Sequence, residues 1–229
     1  MIASPLVTRT LFVVGPVPIT TPVITTWAIM AVLTIGSWAA TRRLELRPTR
    51  VQAALEVIVD TISGQIRETM NVAPARYLPL IGTFFIFVLV ANWSSLIPGI
   101  EPPTAALETD AALALIVFGA TIFYGIRAVG PGRYLMTFAQ PSIFMVPLNV
   151  VELFTRSFSL TVRLFGNVMS GVFMIGVVLS LAGLLVPIPL MALELLTGAV
   201  QAYIFGALAM VFIGSAIGEA SDPQSEAKT

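Results

Sequence analysis

Cysteine and histidine are both absent from the 229 residues, and only 10% of the chain is charged. Without cysteine there is no disulfide and no thiol chemistry, and with histidine also missing the usual ligands of zinc, haem and iron–sulfur clusters are gone. No metal site, cofactor or catalytic residue is therefore expected. A Gly-rich phosphate loop and a nucleophile elbow are lacking as well. Twelve basic residues balance twelve acids, so a net charge of zero gives no electrostatic case for nucleic acid. The N-terminus has no basic region leading into a short apolar core, and no cleavable signal peptide is expected. What the chain has instead is 57% hydrophobic residues. Soluble domains carry about 45–50% apolar and about 25% charged residues, and the departure is in the direction that lipid demands.

Crossing the hydrocarbon core takes roughly 20 mostly apolar residues. Five stretches qualify, at about 21–40, 77–97, 111–129, 147–183 and 190–218. Arg42, Arg43, Arg47 and Arg50 follow the first and mark the cytoplasmic side. The N-terminus is thus expected outside and the polar tail from Glu219 inside. Residues 50–71 differ: Val51, Leu55, Ile58, Ile62 and Ile66 recur at spacings of 4, 3, 4 and 4. That is an amphipathic helix, either packed on a core or lying in the membrane interface, and its place between two spans favours the interface. The loop Glu101 to Asp110 has three acids and no base, which places it outside; Pro131-Gly132 reads as a cytoplasmic turn. The expected fold is all-α and polytopic, a single membrane domain over residues 1–229 with five spans and one interfacial helix. The last two spans exceed a simple crossing and should form a long, tilted hairpin.

Within the fourth span the polar residues Glu152, Arg156, Ser159, Arg163, Asn167 and Ser170 lie at spacings of 4, 3, 4, 4 and 3, one stripe on one helical face. Arg163 has more than fifteen apolar or small residues between it and the proline break, so it cannot easily snorkel that way. A central arginine costs about 2.5–3.5 kcal/mol on insertion scales. It must face protein, water or a counter-ion. Arg156 has Glu152 one turn away and fits a structural pair; Arg163 has no acid one turn away. On the last span Glu194, Thr197 and Gln201 share a face that an antiparallel hairpin brings near this stripe. Gln201 alternatively makes an interhelical hydrogen bond, and Glu194 alternatively is a surface acid. Asn92 and Ser95 are candidates to line an inlet with Glu194, or simply close a helix end. Glu108 and Asp110 are further inlet candidates, although loop acids are more often plain solvated charges. Small residues (Gly166, Ser170 and Gly171; Gly198, Ala202, Gly206 and Ala209) permit close helix approach, within the chain or to a partner.

The run Ser159-Leu160-Thr161-Val162-Arg163-Leu164-Phe165-Gly166-Asn167 resembles the signature of subunit a of F-type ATP synthases. Val51 to Glu56, Asn92 to Gly99, Pro103-Thr104-Ala105 and Gln201 to Phe205 follow in that family's order. The short N-terminal region resembles the N-type branch of these ATPases. The resemblance implies an ion-translocating stator in a bacterial inner membrane, partnered by a ring of c subunits and by b subunits. Two offset half-channels would carry protons or sodium to and from a carboxylate on each ring subunit. By similarity Arg163 is the essential arginine, Gln201 the glutamine facing it, and Asn167 the asparagine one turn along. Some positions depart from the pattern. Ser157 is often proline in relatives. Asn149 stands where many have a glutamate in the cytoplasmic path, a role Glu152 is placed to take. Val172 stands where some proton-driven members have an acid, and Glu194 where they have histidine. A secondary transporter would require internal repeats, which are not seen, and a passive anchor has no need of an unpaired buried arginine.

Overall fold

The computed structural model describes residues 10–14, 17–42, 50–97, 100–138, 144–183 and 186–221. Arg43, Arg47, Pro98-Gly99 and most of the polar tail lie outside the described residues. The chain opens with a feature that the hydropathy pattern does not announce. Strands β1 (Thr10–Val14) and β2 (Val17–Thr20) pair antiparallel, Val14 opposite Val17 and Thr10 opposite Thr20, with an irregularity between Thr10 and Phe12. Their Thr, Val and Ile content suits a pleated ribbon. Pro18 is tolerated because neither strand is interior to a sheet.

Among the described residues seven α-helices follow, and five of them are long and apolar enough to cross a membrane. Helix α1 (Thr21–Thr41) starts with Pro22 in its first turn, where the missing N–H is not needed. Only Pro22 and Ile29 are buried along it. Trp27 and Trp38 point outward, and the Arg42 guanidinium sits 4.8 Å from the Trp38 ring centre. A Trp–Arg pair at a span's end suits the lipid headgroup level.

The amphipathic helix α2 (Arg50–Met70) is closed by Asn71 at φ 52°, a left-handed conformation that asparagine tolerates; its N–H donates to the Arg67 carbonyl at 3.1 Å. The expected apolar stripe divides. Ile62, Ile66 and Met70 are buried with Tyr77, Ile81, Met210 and Ile213, whereas Ile58 is exposed. So the C-terminal half of α2 packs on the bundle, while the preceding turns leave apolar surface uncovered.

Helix α3 (Leu78–Trp93) ends in a tight 3-10 turn, Ser94–Leu96. A second 3-10 turn, Pro103–Ala105, packs against α1, α3 and the two helices α4 (Leu107–Val129) and α6 (Met145–Ala182). Helix α4 begins about one turn earlier than expected. The Ala106 carbonyl accepts the N–H groups of Thr109 (3.1 Å) and Asp110 (3.3 Å), which places Glu108 and Asp110 in the first turn, where negative charge suits the helix dipole. The turn expected at Pro131-Gly132 falls one residue earlier. Gly130, at φ 90°, closes α4 by donating to the Ile126 carbonyl at 2.8 Å, and Pro131 opens a short helix α5 (Pro131–Phe138).

The last two helices, α6 and α7 (Ile188–Ser221), contain 38 and 34 residues. At about 1.5 Å per residue α6 is about 57 Å long, well beyond a hydrocarbon core of about 30 Å, so it must tilt. Pro189 does not delay α7, since it falls in the first turn. The packing is uneven. Helix α7 lies between α3 and α4, with Ala202, Phe205 and Ala209 in a core that also holds Phe84, Phe87, Val88, Ala91, Val117, Leu160 and Leu164. Helix α6 is peripheral: Phe158, Val162, Phe173, Met174 and Leu181 are all exposed.

Candidate functional site

The polar stripe of α6 opens onto a groove between α6 and α7. Glu152, Thr155, Arg156, Ser159 and Arg163 line one wall, Leu208 and Phe212 the other, around a volume of about 480 Å³. The two arginines are held differently. Arg156 is ion-paired with Glu152, one turn before it, and its guanidinium lies 5.5 Å from the Phe212 ring centre. Glu152 thereby has its charge matched within the chain. Arg163, midway along α6, is exposed and makes no hydrogen bond or ion pair among the described residues. Gly166, less than one turn along, has nothing within 4 Å of where a Cβ would stand. Ser159, Arg163, Gly166 and Ser170 are all exposed, so this side of α6 is largely left uncovered by the chain.

Contacts at both ends fix the antiparallel register of α6 against α7. Arg156 meets Phe212 at one end, and Glu194 lies against Gly171 at the other. Asn167 and Arg163 lie between the α6 members of these contacts, and Gln201 between the α7 members. Gln201 is buried and Asn167 half-buried. The Asn167 carbonyl also accepts the Ser170 hydroxyl at 2.9 Å. Asn149, on the first turns of α6, is half-buried and lies outside the groove lining.

Glu194 is not a rim acid. A Cβ on Gly171 would stand 2.5 Å from its Oε1, so the carboxylate occupies the space that this glycine leaves free. Neither carboxylate oxygen has a hydrogen-bond partner among the described residues. Ser95 stands close by, but its hydroxyl donates to the Asn92 carbonyl at 2.8 Å, and the Thr197 hydroxyl donates to the carbonyl of Glu194 itself at 3.1 Å. Two neighbouring side chains tie the end of α3 to α7: Asn92 Nδ2 donates to the Gly198 carbonyl at 3.0 Å, and Trp93 Nε1 to the Leu195 carbonyl at 3.1 Å. Asn92 is buried, and its Oδ1 has no partner among the described residues. So the tertiary structure gathers Asn92, Ser95 and Glu194 at one end of the α6–α7 pair and Glu152 with Arg156 at the other, with Arg163 midway.

The amino-acid sequence is similar to known proteins. Residues 23–214 fit the family model described as ATP synthase A chain. The chain belongs to the ATP synthase A chain family. Its relatives include ATP synthase subunit a 2 of Bradyrhizobium sp. strain BTAi1, 55% identical over 95% of this chain and 98% of that protein. The protein of the same name from Acaryochloris marina is 49% identical over 83% and 82%, and that of Pelobacter propionicus 45% identical over 92% of each. As a member of the ATP synthase A chain family the protein is a multi-pass, non-catalytic subunit of the synthase's ion-translocating membrane sector; the catalytic sites lie in other subunits.

Two features of the site were not foreseen in the sequence. Gly171 reads there only as a small residue, yet it seats Glu194. Asp110 is an inlet candidate there, yet its full burial is nothing the sequence signals. The signal for Gly171 was its place one turn beyond Asn167 on the arginine stripe. For Asp110 no periodicity pointed inward, because an apolar-pattern search treats an acid as the edge of a span.

Proposed function

We propose that this chain is the stator through which ions reach and leave a rotating c-ring, and that Arg163 separates two half-channels. The single observation that supports this reading most is an unpartnered guanidinium on a face of α6 that the chain leaves bare, in the middle of a helix long enough to span. A fixed cation near a carboxylate favours its ionised form, lowering its pKa by roughly 1–3 units. A ring carboxylate approaching Arg163 therefore gives up its proton or sodium. On leaving, it must be neutralised again before it meets lipid. Neither half-channel runs through, since a continuous pore would dissipate the gradient. The outer one includes Glu194, Asn92 and Ser95; the cytoplasmic one enters by the groove at Ser159 and Glu152, with Asn149 beyond the groove on the first turns of α6. Gln201 and Asn167 flank the arginine. Termini orientation follows the arginines after α1, with the N-terminus outside and the C-terminus cytoplasmic, and the b subunits hold the stator against the ring.

Arg163→Ala in the assembled complex is expected to abolish ATP-driven ion pumping in vesicles while the complex still assembles. Coupled pumping at the unsubstituted rate would overturn the reading. Arg163→Lys is expected to fail too, because a lysine loses its charge readily on burial and lacks the planar fork.

A further inference from the structure

Seven buried side-chain polar atoms lack a hydrogen-bond partner among the described residues: Asn92 Oδ1, Glu101 Oε2, Thr104 Oγ1, both carboxylate oxygens of Asp110, and both of Glu194. All seven are oxygens. All lie at the end of the bundle that carries the 3-10 turns after α3 and before α4. Native structures rarely leave buried polar groups unpaired, and those without a protein partner are normally met by ordered water or an ion. With the carboxyl groups ionised, six of these atoms only accept, and their partners must then donate or be cationic. No lysine or arginine occurs between residues 77 and 126 or between 164 and 218 to supply the donor.

Of these residues Glu101, Thr104 and Asp110 are not in the proposed outer path, and Asp110 is the more deeply buried of the two acids. Its side chain is fully buried. It continues the face of α4 on which Leu113, Ala114 and Val117 pack into the core with Leu160 and Leu164, so it faces the bundle rather than lipid. The chain has folded a loop inward to reach this depth. Pro103 and Thr104 are fully buried, with the Thr104 hydroxyl unpartnered, in the 3-10 turn between α3, α4 and α6. Non-helical backbone at membrane depth is tolerated where it is enclosed by protein or lines water. Beyond Asp110 the same α4 face is closed by Leu113, Ala114 and Val117, and Thr121 returns its hydroxyl to the Val117 carbonyl at 2.9 Å. A hydrated pocket at Asp110 therefore does not continue along α4.

We propose that Asp110 is a second ion-exchanging acid of the outer route, a buried carboxylate in a water-filled pocket bounded by the Pro103–Ala105 turn. It holds the translocated monovalent cation between the surface and Glu194. This rests on the stator reading above and adds a station to it. The acidic loop, with Glu101 and Glu108 beside it, raises the local cation concentration at the mouth.

The absence of native cysteine allows a clean test of water access. Asp110→Cys and Thr104→Cys are each made in the assembled complex, and a small charged methanethiosulfonate reagent is added from each side of the membrane in turn. Labelling of this chain from the loop side only is expected at both positions. In parallel, Asp110→Asn is expected to lower ATP-driven pumping several-fold, with Asp110→Glu restoring most of it. A merely structural acid would be replaced by its isosteric amide without loss. No label at Asp110→Cys, or undiminished pumping in Asp110→Asn, overturns the proposal. If Asp110→Cys does not assemble, an unlabelled Thr104→Cys overturns it instead. Should pumping still depend on Arg163 when position 110 proves dry, the added station alone is lost; should pumping survive Arg163→Ala, the stator reading itself fails.

Discussion

A guanidinium keeps its charge at any physiological pH, so each arginine on α6 must find compensation somewhere, and the two do so differently. Arg156 finds it in Glu152 and in the face of Phe212. The pair is partly exposed, and such i,i+4 pairs contribute only about 0.3–0.5 kcal/mol. Arg156→Gln should accordingly leave pumping largely intact, in contrast to any change at Arg163; a rate reduced as severely as in Arg163→Ala would show that Arg156 belongs to the ion path. At the other end of the α6–α7 pair, the seat of Glu194 is a single missing methyl. Gly171→Ala places a Cβ against Oε1, so the carboxylate must swing away. The complex is expected to assemble and pump several-fold more slowly, read as the initial rate of ATP-driven ion uptake in vesicles. The position accommodates alanine if the rate is unchanged.

Helices are positioned here by a few polar ties laid over apolar packing. The end of α3 reaches α7 through Asn92 and Trp93, whose donors meet carbonyls at Gly198 and Leu195. Those carbonyls lie on either side of Thr197, between Glu194 and Gln201, so the tie sets the rotation of the stretch that carries both. Gly198 makes it possible: an added Cβ would stand 3.1 Å from the Cβ of Asn92. Trp93→Phe removes one donor and keeps the ring. The expected loss is about 1 kcal/mol in detergent stability, visible as a lower thermal midpoint of the purified complex. An unchanged midpoint would mean that the indole N–H is equally well satisfied elsewhere. At the far side of α7, the Tyr203 hydroxyl donates to Gln65 Oε1 at 3.0 Å, which couples α2 to the same stretch from the opposite direction.

For the whole molecule, burial is distributed in a way that calls for a partner. Helices α3 and α7 are well covered, whereas α1 and α6 are nearly bare. For α1, with tryptophans at Trp27 and Trp38, lipid suffices. For α6 it does not, because the bare side includes Arg163, Ser159 and Ser170. The small residues divide accordingly. Gly171, Gly198 and Gly206 are filled by Glu194, Asn92 and Phe85 of this chain, whereas Gly166 faces open space. A cysteine at Gly166 is expected to cross-link to a neighbouring subunit in the assembled complex, and one at Gly206 is not. Cross-linking at Gly206 but not at Gly166 would place the partner on the wrong side of the hairpin.

Hydropathy and spacing already determined the five long helices, the amphipathic helix from Arg50, and the common face of Glu152, Arg156, Ser159, Arg163 and Asn167. These follow from local rules: a span needs a continuous apolar run, and a 3.6-residue period puts fixed spacings on one face whatever the chain does elsewhere. The position of Arg163 was legible for the same reason, since the cost of its burial depends only on its neighbours in sequence. Three matters waited for the tertiary structure. Whether a group on another helix reaches Arg163 depends on how α6 and α7 pack, whereas the Arg156–Glu152 pair was already given by its i,i+4 spacing. Whether Glu194 lies at the rim or inside depends on a glycine 23 residues away. Whether Asp110 is solvated or enclosed depends on a loop folded among four helices. Burial of a single polar group is set by long-range packing, and no local periodicity encodes it.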